Sequence, residues 1–293
     1  MKKRKTPKTY LLVVPVFAVI LSVVIFPLIW AIFISFHEWN PTVSPERKFV
    51  GISNYIQVFT DPRFLDSLKR MLYYSGFGVT LQVFLGMVIA LILVNYIKSG
   101  KLRGGLLILY LVPMMMAPVV AGQIWVLLVT GTGTINNMLV SLGLSPVAWR
   151  GKDLALTTVM LTDIWQWTSL PLLIIYAGRI SIPQNLYEAA YLDGASDWMI
   201  FRRITLPYLT IPLAIAFLLR FMDSYKYLDK VFIMTYGGPG TASELPVFYT
   251  FLVGFSYYKV GYAAALGWII GLAAVFFMLL FWKIIRRRAM EGG

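Results

Sequence analysis

The sequence predicts an all-α membrane protein with six transmembrane helices and with both termini on the cytoplasmic side. The 293 residues are 59% hydrophobic and only 13% charged, with a mean hydropathy of +0.74, whereas soluble domains are about 25% charged. Six stretches are apolar over the roughly 20 residues that a bilayer crossing needs. Basic residues are concentrated in segments that join alternate stretches, as expected for cytoplasmic connections.

The six apolar stretches are distributed along the whole chain. They lie near residues 10–36, 72–97, 104–129, 154–180, 208–233 and 261–284. Each is expected to be a helix, because backbone polar groups in lipid must be paired within the segment. The first stretch is too long for a secretory signal and is not followed by a small-residue cleavage site. We therefore predict one transmembrane domain over residues 1–293.

The distribution of charge predicts the orientation of this domain. More than half of the 26 basic residues lie in the terminal segments and in the connections near 98–103 and 179–203. An even number of spans places both termini on one side, and positive charge marks the cytoplasmic side. The net charge of +13 is thus explained by membrane flanks, and no nucleic-acid partner is expected. The longer outer segments contain candidate short helices at 53–59, 63–70 and 135–144.

Residue composition argues against catalytic chemistry on this chain. It has no cysteine, which excludes a disulfide framework and a thiolate nucleophile. Its single histidine also argues against a Ser-His-Asp triad and a metal cluster. The glycine-rich stretches TGTGTIN (130–136) and GGPGTAS (237–243) lack the lysine of a phosphate-binding loop. We expect no catalytic residue, no metal site and no cofactor here.

A polar segment, residues 181–207, connects the fourth and fifth apolar stretches on the predicted cytoplasmic side. Asn185 can cap a short helix over about 186–192, with Glu188 in the reciprocal capping position. Gly194 permits a turn with positive φ and a close approach of another backbone. The first arm of a helix-turn-helix elbow is therefore expected here.

The second arm should begin at Ser196, whose hydroxyl can cap another short helix. Pro207 begins the next span and disfavours helical conformation at Leu206. Three alanines, Ala189, Ala190 and Ala195, leave a small-residue surface that a helix or groove of another chain can seat against. An ordinary helical loop is the alternative interpretation of these residues.

The stretch SIPQNLYEAAYLDGASDWMIFRRITLP resembles the signature loop of the integral-membrane permease subunits of binding-protein-dependent ABC importers. The matching positions, spaced without a gap, are Glu188, Ala189, Ala190, Gly194, Ile204, Leu206 and Pro207. Features that resemble the carbohydrate-uptake branch are Ile182-Pro183, Asp193-Gly194-Ala195, TYGGPGTAS (235–243) and GYAAALGW (261–268). The resemblance covers nearly the whole chain.

This resemblance implies that the 181–207 loop is a coupling helix docked on a separate ATPase subunit. The residues it assigns to coupling are Glu188, Ala189, Ala190, Asp193, Gly194, Ala195, Ile204, Leu206 and Pro207. It also implies a second homologous permease, two ATP-binding subunits that hold ATP and Mg²⁺, and an extracytoplasmic solute-binding protein. The location would be a bacterial or archaeal cytoplasmic (inner) membrane. The solute would be a sugar or a related polyol or sugar phosphate.

Ionisable residues within the spans are candidates for a solute path, because such residues usually face a partner or a watery cavity. Asp163, Arg220 and Asp223 all fall in the predicted outer half of the membrane. Arg220 can pair locally with Asp223, three residues away, or across helices with Asp163. Nearby aromatic and amide residues suit a sugar, but they equally suit an interfacial aromatic belt. The candidate path residues are Gln123, Asp163, Trp165, Trp167, Arg220, Asp223 and Tyr225.

Two other functions remain open at this level. An ion-coupled secondary transporter would need no ATPase, although few acidic residues lie within the spans. A non-transporting membrane scaffold would use the same loop to bind an ATPase without moving a solute.

Overall fold

A computed structural model describes the backbone of residues 13–291 and the side chains of residues 13–281 and 283. The helices in chain order are α1 (Val14–Ile20), α2 (Phe26–Ser35), α3 (Ser53–Thr60), α4 (Pro62–Tyr73), α5 (Val79–Asn95), α6 (Gly100–Met115), α7 (Pro118–Val129), α8 (Thr134–Ser141), α9 (Ala155–Trp167), α10 (Ser169–Ile180), α11 (Gln184–Leu192), α12 (Asp197–Ile200), α13 (Leu206–Ser224), α14 (Asp229–Met234), α15 (Pro246–Phe251) and α16 (Val260–Glu291). Across this part of the chain, the strands are β1 (His37–Glu38) and β2 (Lys48–Phe49), which pair antiparallel. The predicted mainly helical fold is confirmed.

Within residues 13–291, four π-helical segments, each five residues long, continue neighbouring α-helices. They are Leu21–Ile25, Tyr74–Gly78, Phe201–Thr205 and Leu252–Ser256. Because of them, α4 and α5 form one helix of 34 residues, and α12 and α13 form one helix of 28 residues. The second predicted span thus begins earlier than expected, because the candidate short helix at 63–70 is its first part.

Five helical segments in the described residues are long and apolar enough to cross a membrane. They are Val14–Ser35, Pro62–Asn95, Pro118–Ser141, Asp197–Ser224 and Val260–Phe281. The predicted 154–180 span is instead divided at Thr168 into α9 and α10, of 13 and 12 residues. Pro171 has no N–H to donate to the preceding turn and its ring crowds that turn. The number of crossings and the positions of the termini stay predictions.

Two other predicted spans are also interrupted. The 104–129 stretch is divided into α6 and α7 at Met116 and Ala117, which are extended, with ψ of 145° and 139°. Ala117 precedes Pro118, and a residue before proline is driven out of the helical region. The 208–233 stretch is helical only to Ser224, and its last part is the separate helix α14.

The chain forms two compact units. The smaller comprises the described residues up to Leu65 together with Tyr249–Leu272, and the larger comprises Asp66–Phe248 with the residues from Ala273. In the smaller unit, Asp61 accepts hydrogen bonds from the hydroxyls of Tyr249 (2.5 Å) and Tyr262 (2.7 Å). Burial opposes ionisation of this carboxyl, but these bonds and the backbone N–H groups of the next turn lower its pKa.

The larger unit packs α5, α10 and α13 around a shared apolar core. Its buried members are Ala90, Leu93, Leu172, Ile175 and Leu209. Glycines let these helices approach closely, since a Cβ on Gly178 would lie 2.5 Å from Cγ of Pro212. Because α10 enters the 181–207 segment and α13 leaves it, this core fixes the base of that segment.

Candidate coupling elbow and buried charge cluster

The first arm of the elbow is α11, which begins two residues earlier than the sequence predicts. Pro183 is its N-cap, with φ −58° and ψ 130°, and the cap makes no side-chain hydrogen bond. The prediction that Asn185 caps the helix is therefore wrong. The ring of Pro183 fixes its φ and so favours the start of a helix at the next residue. Asn185 and Glu188 therefore lie inside the helix.

The turn between the arms is a Schellman motif built on Gly194, which has a φ of +74°. The Gly194 N–H donates to the Tyr191 carbonyl (3.1 Å), and the Ala195 N–H donates to the Ala190 carbonyl (2.9 Å). These two bonds satisfy carbonyls that the end of α11 leaves free. The predicted positive-φ turn at this glycine is confirmed.

The second arm begins at Ser196, whose hydroxyl accepts from the Met199 N–H at 3.4 Å. The predicted cap is confirmed, but the arm is not a separate short helix. Leu206 is helical, with φ −65° and ψ −42°, and its N–H donates to the Phe201 carbonyl five residues back. The π turn brings the chain to Pro207 without a break, so the expected loss of helix at Leu206 is wrong.

The inner side of the elbow is a small apolar core that joins the two arms. Ile182, Tyr187 and Ile200 are buried in it, and Ile204 packs against them. The hydroxyls of Tyr187 and Thr205 lie 3.0 Å apart at hydrogen-bonding distance. The Arg179 guanidinium lies 4.2 Å from the centre of the Tyr187 ring, a cation–π contact that contributes about 0.5–2 kcal/mol.

The outer side of the elbow is exposed and combines polar, small and apolar groups. Glu188, Ala189, Asp193 and Gly194 are exposed, and Leu192 keeps 89% of its surface accessible. A Cβ built on Gly194 would meet no atom within 4 Å, so its surroundings within the chain are open. The other motif residues are half-buried or exposed: Ala190, Ala195, Ile204 and Leu206 are half-buried, and Pro207 is exposed.

One hydrogen bond also ties the arms together on the exposed side. The Tyr191 hydroxyl donates to the Asp197 carboxylate at 3.0 Å. The bond raises the pKa of Tyr191, because the neutral phenol is the donor. The two arms are thus joined on both faces, and the elbow is a defined structure.

A second polar region lies in the same unit, centred on the buried carboxylate of Asp163. Its Oδ2 accepts from Nε2 of Gln82 (2.7 Å) and from an Nη of Arg220 (3.0 Å), and its Oδ1 accepts from Nζ of Lys230 (2.5 Å). Asp163 is 2% exposed, and Arg220 and Lys230 are completely buried. These four residues, which we term the charge cluster, come from α5, α9, α13 and α14.

The Arg220 guanidinium has contacts on both its edge and its face. Its Nε donates to Oε1 of Gln82 at 2.8 Å, and one of its Nη atoms donates to the Tyr227 hydroxyl. The rings of Trp167 and Tyr227 lie 4.8 and 5.7 Å from its carbon. Burying a charge is costly unless it is paired and hydrogen-bonded; these contacts satisfy Nε and one Nη, whereas the other Nη makes no hydrogen bond and has only a longer ion pair, to Asp223.

Both pairings considered for Arg220 occur, but they are not equivalent. The bond to Asp163 across helices is short and dry, whereas Asp223 lies 3.6 Å away and is 39% exposed. Asp223 also pairs with the exposed Lys226 at 3.3 Å. The structure therefore brings Asp163, Trp167, Arg220 and Asp223 together, as members of one site would be.

Sequence reasoning missed two members of the cluster, Gln82 and Lys230. Gln82 is 81 residues from Asp163 in sequence, and Lys230 is 67 residues away. A polar amide within an apolar stretch was the available signal for Gln82. Lys230 follows a polar turn, so nothing local distinguishes it from a solvated lysine at the end of a helix.

The other candidate path residues lie outside these contacts. The rings of Trp165 and Trp125 meet edge to face at 6.1 Å, and Trp165 is 37% exposed. Gln123 is also exposed, whereas Tyr225 is buried against Phe221. Trp165 also lines a cavity of about 490 Å³ whose wall includes residues of α6, α9 and α10.

Comparison with known proteins identifies the family. Residues 82–289 match the family model described as the binding-protein-dependent transport system inner membrane component. The chain belongs to this family. It is a permease subunit of a multi-pass membrane transporter of the ABC class, and the match favours this function over an ion-coupled secondary transporter.

The chain is also similar to individual ABC transporter permeases over most of their length. The chain is 35% identical to the trehalose/maltose transport system permease protein MalF of Thermococcus litoralis, over 89% of this chain and 86% of that protein. It is 28% identical to the sulfoquinovosyl glycerol transport system permease protein SmoG of Agrobacterium fabrum, over 95% and 90%. Its fold matches a chain of a bacterial ABC transporter that imports the acidic polysaccharide alginate, with a TM-score of 0.83, 21% identity and 95% coverage of each chain.

Proposed function

We propose that this chain is a permease subunit of an ABC importer for a sugar or a related polyol or sugar phosphate. It forms half of the translocation path, and a second, homologous permease forms the other half. Two separate ATP-binding subunits hold ATP and Mg²⁺, and one of them docks on the 181–207 elbow. An extracytoplasmic protein delivers the solute.

The exposed face of the elbow is the observation that carries this proposal. Leu192 and Trp198 are 89% and 68% exposed on a segment that also presents Glu188 and Asp193. In a segment between two membrane helices, such a mixture of apolar and acidic groups fits a protein partner better than lipid or water. The open space around Gly194 lets a partner backbone approach closely.

The proposed solute class rests on the relatives. Those named for a solute include permeases for trehalose/maltose and for sulfoquinovosyl glycerol. The matching alginate transporter has also been solved with a periplasmic protein that holds an alginate pentasaccharide. We therefore assign a carbohydrate as the solute of this chain and a similar soluble protein as the one that delivers it.

For the solute path, we assign different roles to the exposed and the buried candidates. Gln123, Trp165 and Asp223 are accessible and face the solute. Asp163, Arg220 and Tyr225 are buried and are assigned to support the path from behind. Trp167 is half-buried, and its ring stacks on Arg220. Aromatic rings, amides and carboxylates suit the apolar faces and hydroxyls of a sugar.

The proposed orientation places both termini and the elbow in the cytoplasm of a bacterium or archaeon, with the chain in the cytoplasmic (inner) membrane. In this arrangement α9 and α10 together make the fourth of six crossings. The basic residues near the termini and around the elbow then lie on the cytoplasmic side.

Co-purification followed by reconstitution tests the proposal. The chain is tagged, expressed with its genomic neighbours and purified in detergent, and its bound subunits are identified. We expect a second permease and an ATPase, with ATP hydrolysis stimulated by a solute-loaded binding protein. Recovery of this chain without an ATPase, together with uptake driven by an ion gradient, would contradict it.

A further inference from the structure

The elbow and the charge cluster are joined by a single helix. The continuous helix Asp197–Ser224 has 28 residues, which corresponds to a length of about 42 Å. The elbow core holds its first turns through Ile200 and Thr205. Arg220 lies in its last turns, so one continuous helix carries the elbow at one end and the cluster at the other.

The Asp163 carboxylate connects this helix to a second element. One of its oxygens binds Arg220 of α13, and the other binds Lys230 of α14. α14 also packs closely on α7, where a Cβ on Gly122 would lie 2.5 Å from Cγ2 of Ile233. Asp163 is therefore a shared acceptor for two consecutive helices that a turn at Tyr225–Leu228 separates.

The charges make this connection strong and specific. Two buried cations meet one buried anion, and the half-exposed Asp223 supplies the second negative charge beside Arg220. Without Asp163, the ammonium group of Lys230 would be buried without its ion-pair partner, which is strongly unfavourable. α13 and α14 are thus both held to Asp163 on α9 by buried ion pairs.

α14 leads directly into the segment 235–245, which lies on the predicted outer side of the membrane. The carbonyl of Met234, the last residue of α14, accepts from Arg150 at 3.2 Å. Within the segment, the Ser243 hydroxyl donates to the Gly238 carbonyl at 2.9 Å and lies at hydrogen-bonding distance, 2.7 Å, from the Thr235 hydroxyl. The segment is therefore ordered and is anchored at the end of α14.

We propose that Asp163 is a positioning residue for transport coupling. Its carboxylate, on α9, ties the far end of the Asp197–Ser224 helix to α14, so that the elbow, this helix, α9 and α14 move as one body. Displacement of the elbow then reaches the 235–245 segment without being absorbed at the Tyr225–Leu228 turn. This inference rests on the proposed ABC importer function.

Two lysine variants test the clamp in the assembled transporter. Lys230→Met removes the tie to α14 while Asp163 remains paired with Arg220. Lys226→Met is the matched control, because Lys226 is 77% exposed and also pairs with an aspartate, at 3.3 Å. The number of solute molecules moved per ATP hydrolysed should fall about fivefold or more in Lys230→Met and stay unchanged in Lys226→Met.

A distance measurement separates a clamp from a merely structural role. The chain has no cysteine, so spin labels can be placed at Leu192→Cys in the elbow and Phe232→Cys on α14, with the other subunits made cysteine-free. In the wild type, the distance between labels should be the same in the nucleotide-free and vanadate-trapped states. In Lys230→Met, it should broaden or shift between the two states.

Either of two results would overturn the proposal. One is a wild-type distance that changes with nucleotide, and the other is a Lys230→Met transporter with wild-type coupling and wild-type distances. If the single variant does not assemble, the double variant Asp163→Asn, Lys230→Met removes one charge of each sign and gives the same measurements. A wild-type complex without solute-stimulated ATP hydrolysis would instead contradict the proposed function itself.

Discussion

Glu188 of the elbow and Asp163 of the charge cluster are both acids on helices of the same unit, but their surroundings are opposite. Asp163 is 2% exposed and receives hydrogen bonds from Gln82, Arg220 and Lys230. Glu188 is exposed and makes no ion pair within the described residues. The first acid is satisfied by its own chain, and the second is available to another one.

This difference distinguishes two uses of polar residues in an apolar chain. A buried charge whose hydrogen bonds are all made within the chain serves to join helices. If one partner is removed, the remaining charges stay buried in a low dielectric without their ion pair. An exposed acid on a small-residue face contributes little to folding, and under the proposed function it serves to bind the ATPase. Variants in the cluster should therefore change stability first, whereas variants on the elbow face should change assembly and coupling first.

The largest effect is expected for Arg220→Met. The substitution leaves Asp163 with Lys230 and Gln82 but removes the charged partner of its second oxygen, and it leaves the Gln82 carbonyl facing an apolar side chain. We expect a loss of about 3–5 kcal/mol in the free energy of unfolding. Denaturation in detergent with a far-ultraviolet readout measures it, and a variant as stable as the wild type would remove the distinction drawn above.

Next in size is the effect of Gly194→Trp on binding of the ATPase. A matched control exists at Gly143, which ends α8 with the same motif, has a φ of +76°, and also has no atom within 4 Å of a built Cβ. Both substitutions should destabilise the chain by about 1–2 kcal/mol, because an L-residue disfavours this conformation.

Only the elbow variant should lose the ATPase. We expect recovery of the ATPase in pull-down to fall about tenfold for Gly194→Trp, equivalent to about 1.4 kcal/mol, while Gly143→Trp retains it. Equal loss in both variants would mean that the turn geometry, and not a docking face, is what the substitution disturbs.

Glu188→Ala should have a smaller effect, confined to coupling. Its side chain is exposed, so the midpoint of thermal unfolding should not move measurably. Transport per ATP hydrolysed should fall about fivefold, because we expect this exposed acid to pair with a basic group of the ATPase. Glu46→Ala, which alters an exposed acid on the predicted outer side, is the control, and transport at the wild-type rate in Glu188→Ala would leave this acid without a role.

The smallest effect is expected for Tyr187→Phe, on the inner side of the elbow. It removes one buried hydrogen bond, to Thr205, and keeps the ring beneath Arg179. The free energy of unfolding should fall by about 1 kcal/mol. Ser141→Ala, which removes a local hydroxyl bond at an exposed position, should change it less, and a reversed order would contradict the assignment of the inner side as the structural one.

The elbow could be predicted from sequence because its signals are local. The turn at Gly194 and the cap at Ser196 each depend on residues within a few positions, and both are found. The errors at Asn185 and Leu206 have a common cause, since a neighbouring proline has a conformational preference that tertiary context can use in more than one way. Pro183 starts a helix without a side-chain cap, and Pro207 follows a π turn without ending one.

The charge cluster was only half predictable, because its bonds join residues that are distant in sequence. Asp163 and Arg220 were noticeable as charges within apolar stretches, but their partners Gln82 and Lys230 were not selected. The helix interruptions at Thr168 and at Met116–Ala117 were not predicted from the sequence for another reason. A hydropathy window averages over about 20 residues and does not register a break of one or two.

Gly261, at the start of α16, has a consequence for genetics. A Cβ there would overlap the carbonyl oxygen of His37 and would lie 3.2 Å from that of Ile34, so no other amino acid fits without moving the backbone. In a library that randomises every codon and selects cells for growth on the transported solute, this codon should return glycine alone. The degree to which non-glycine codons disappear at position 261 then gives the value expected for complete loss of folding. The tolerance of each elbow and cluster position to substitution can be ranked against that value.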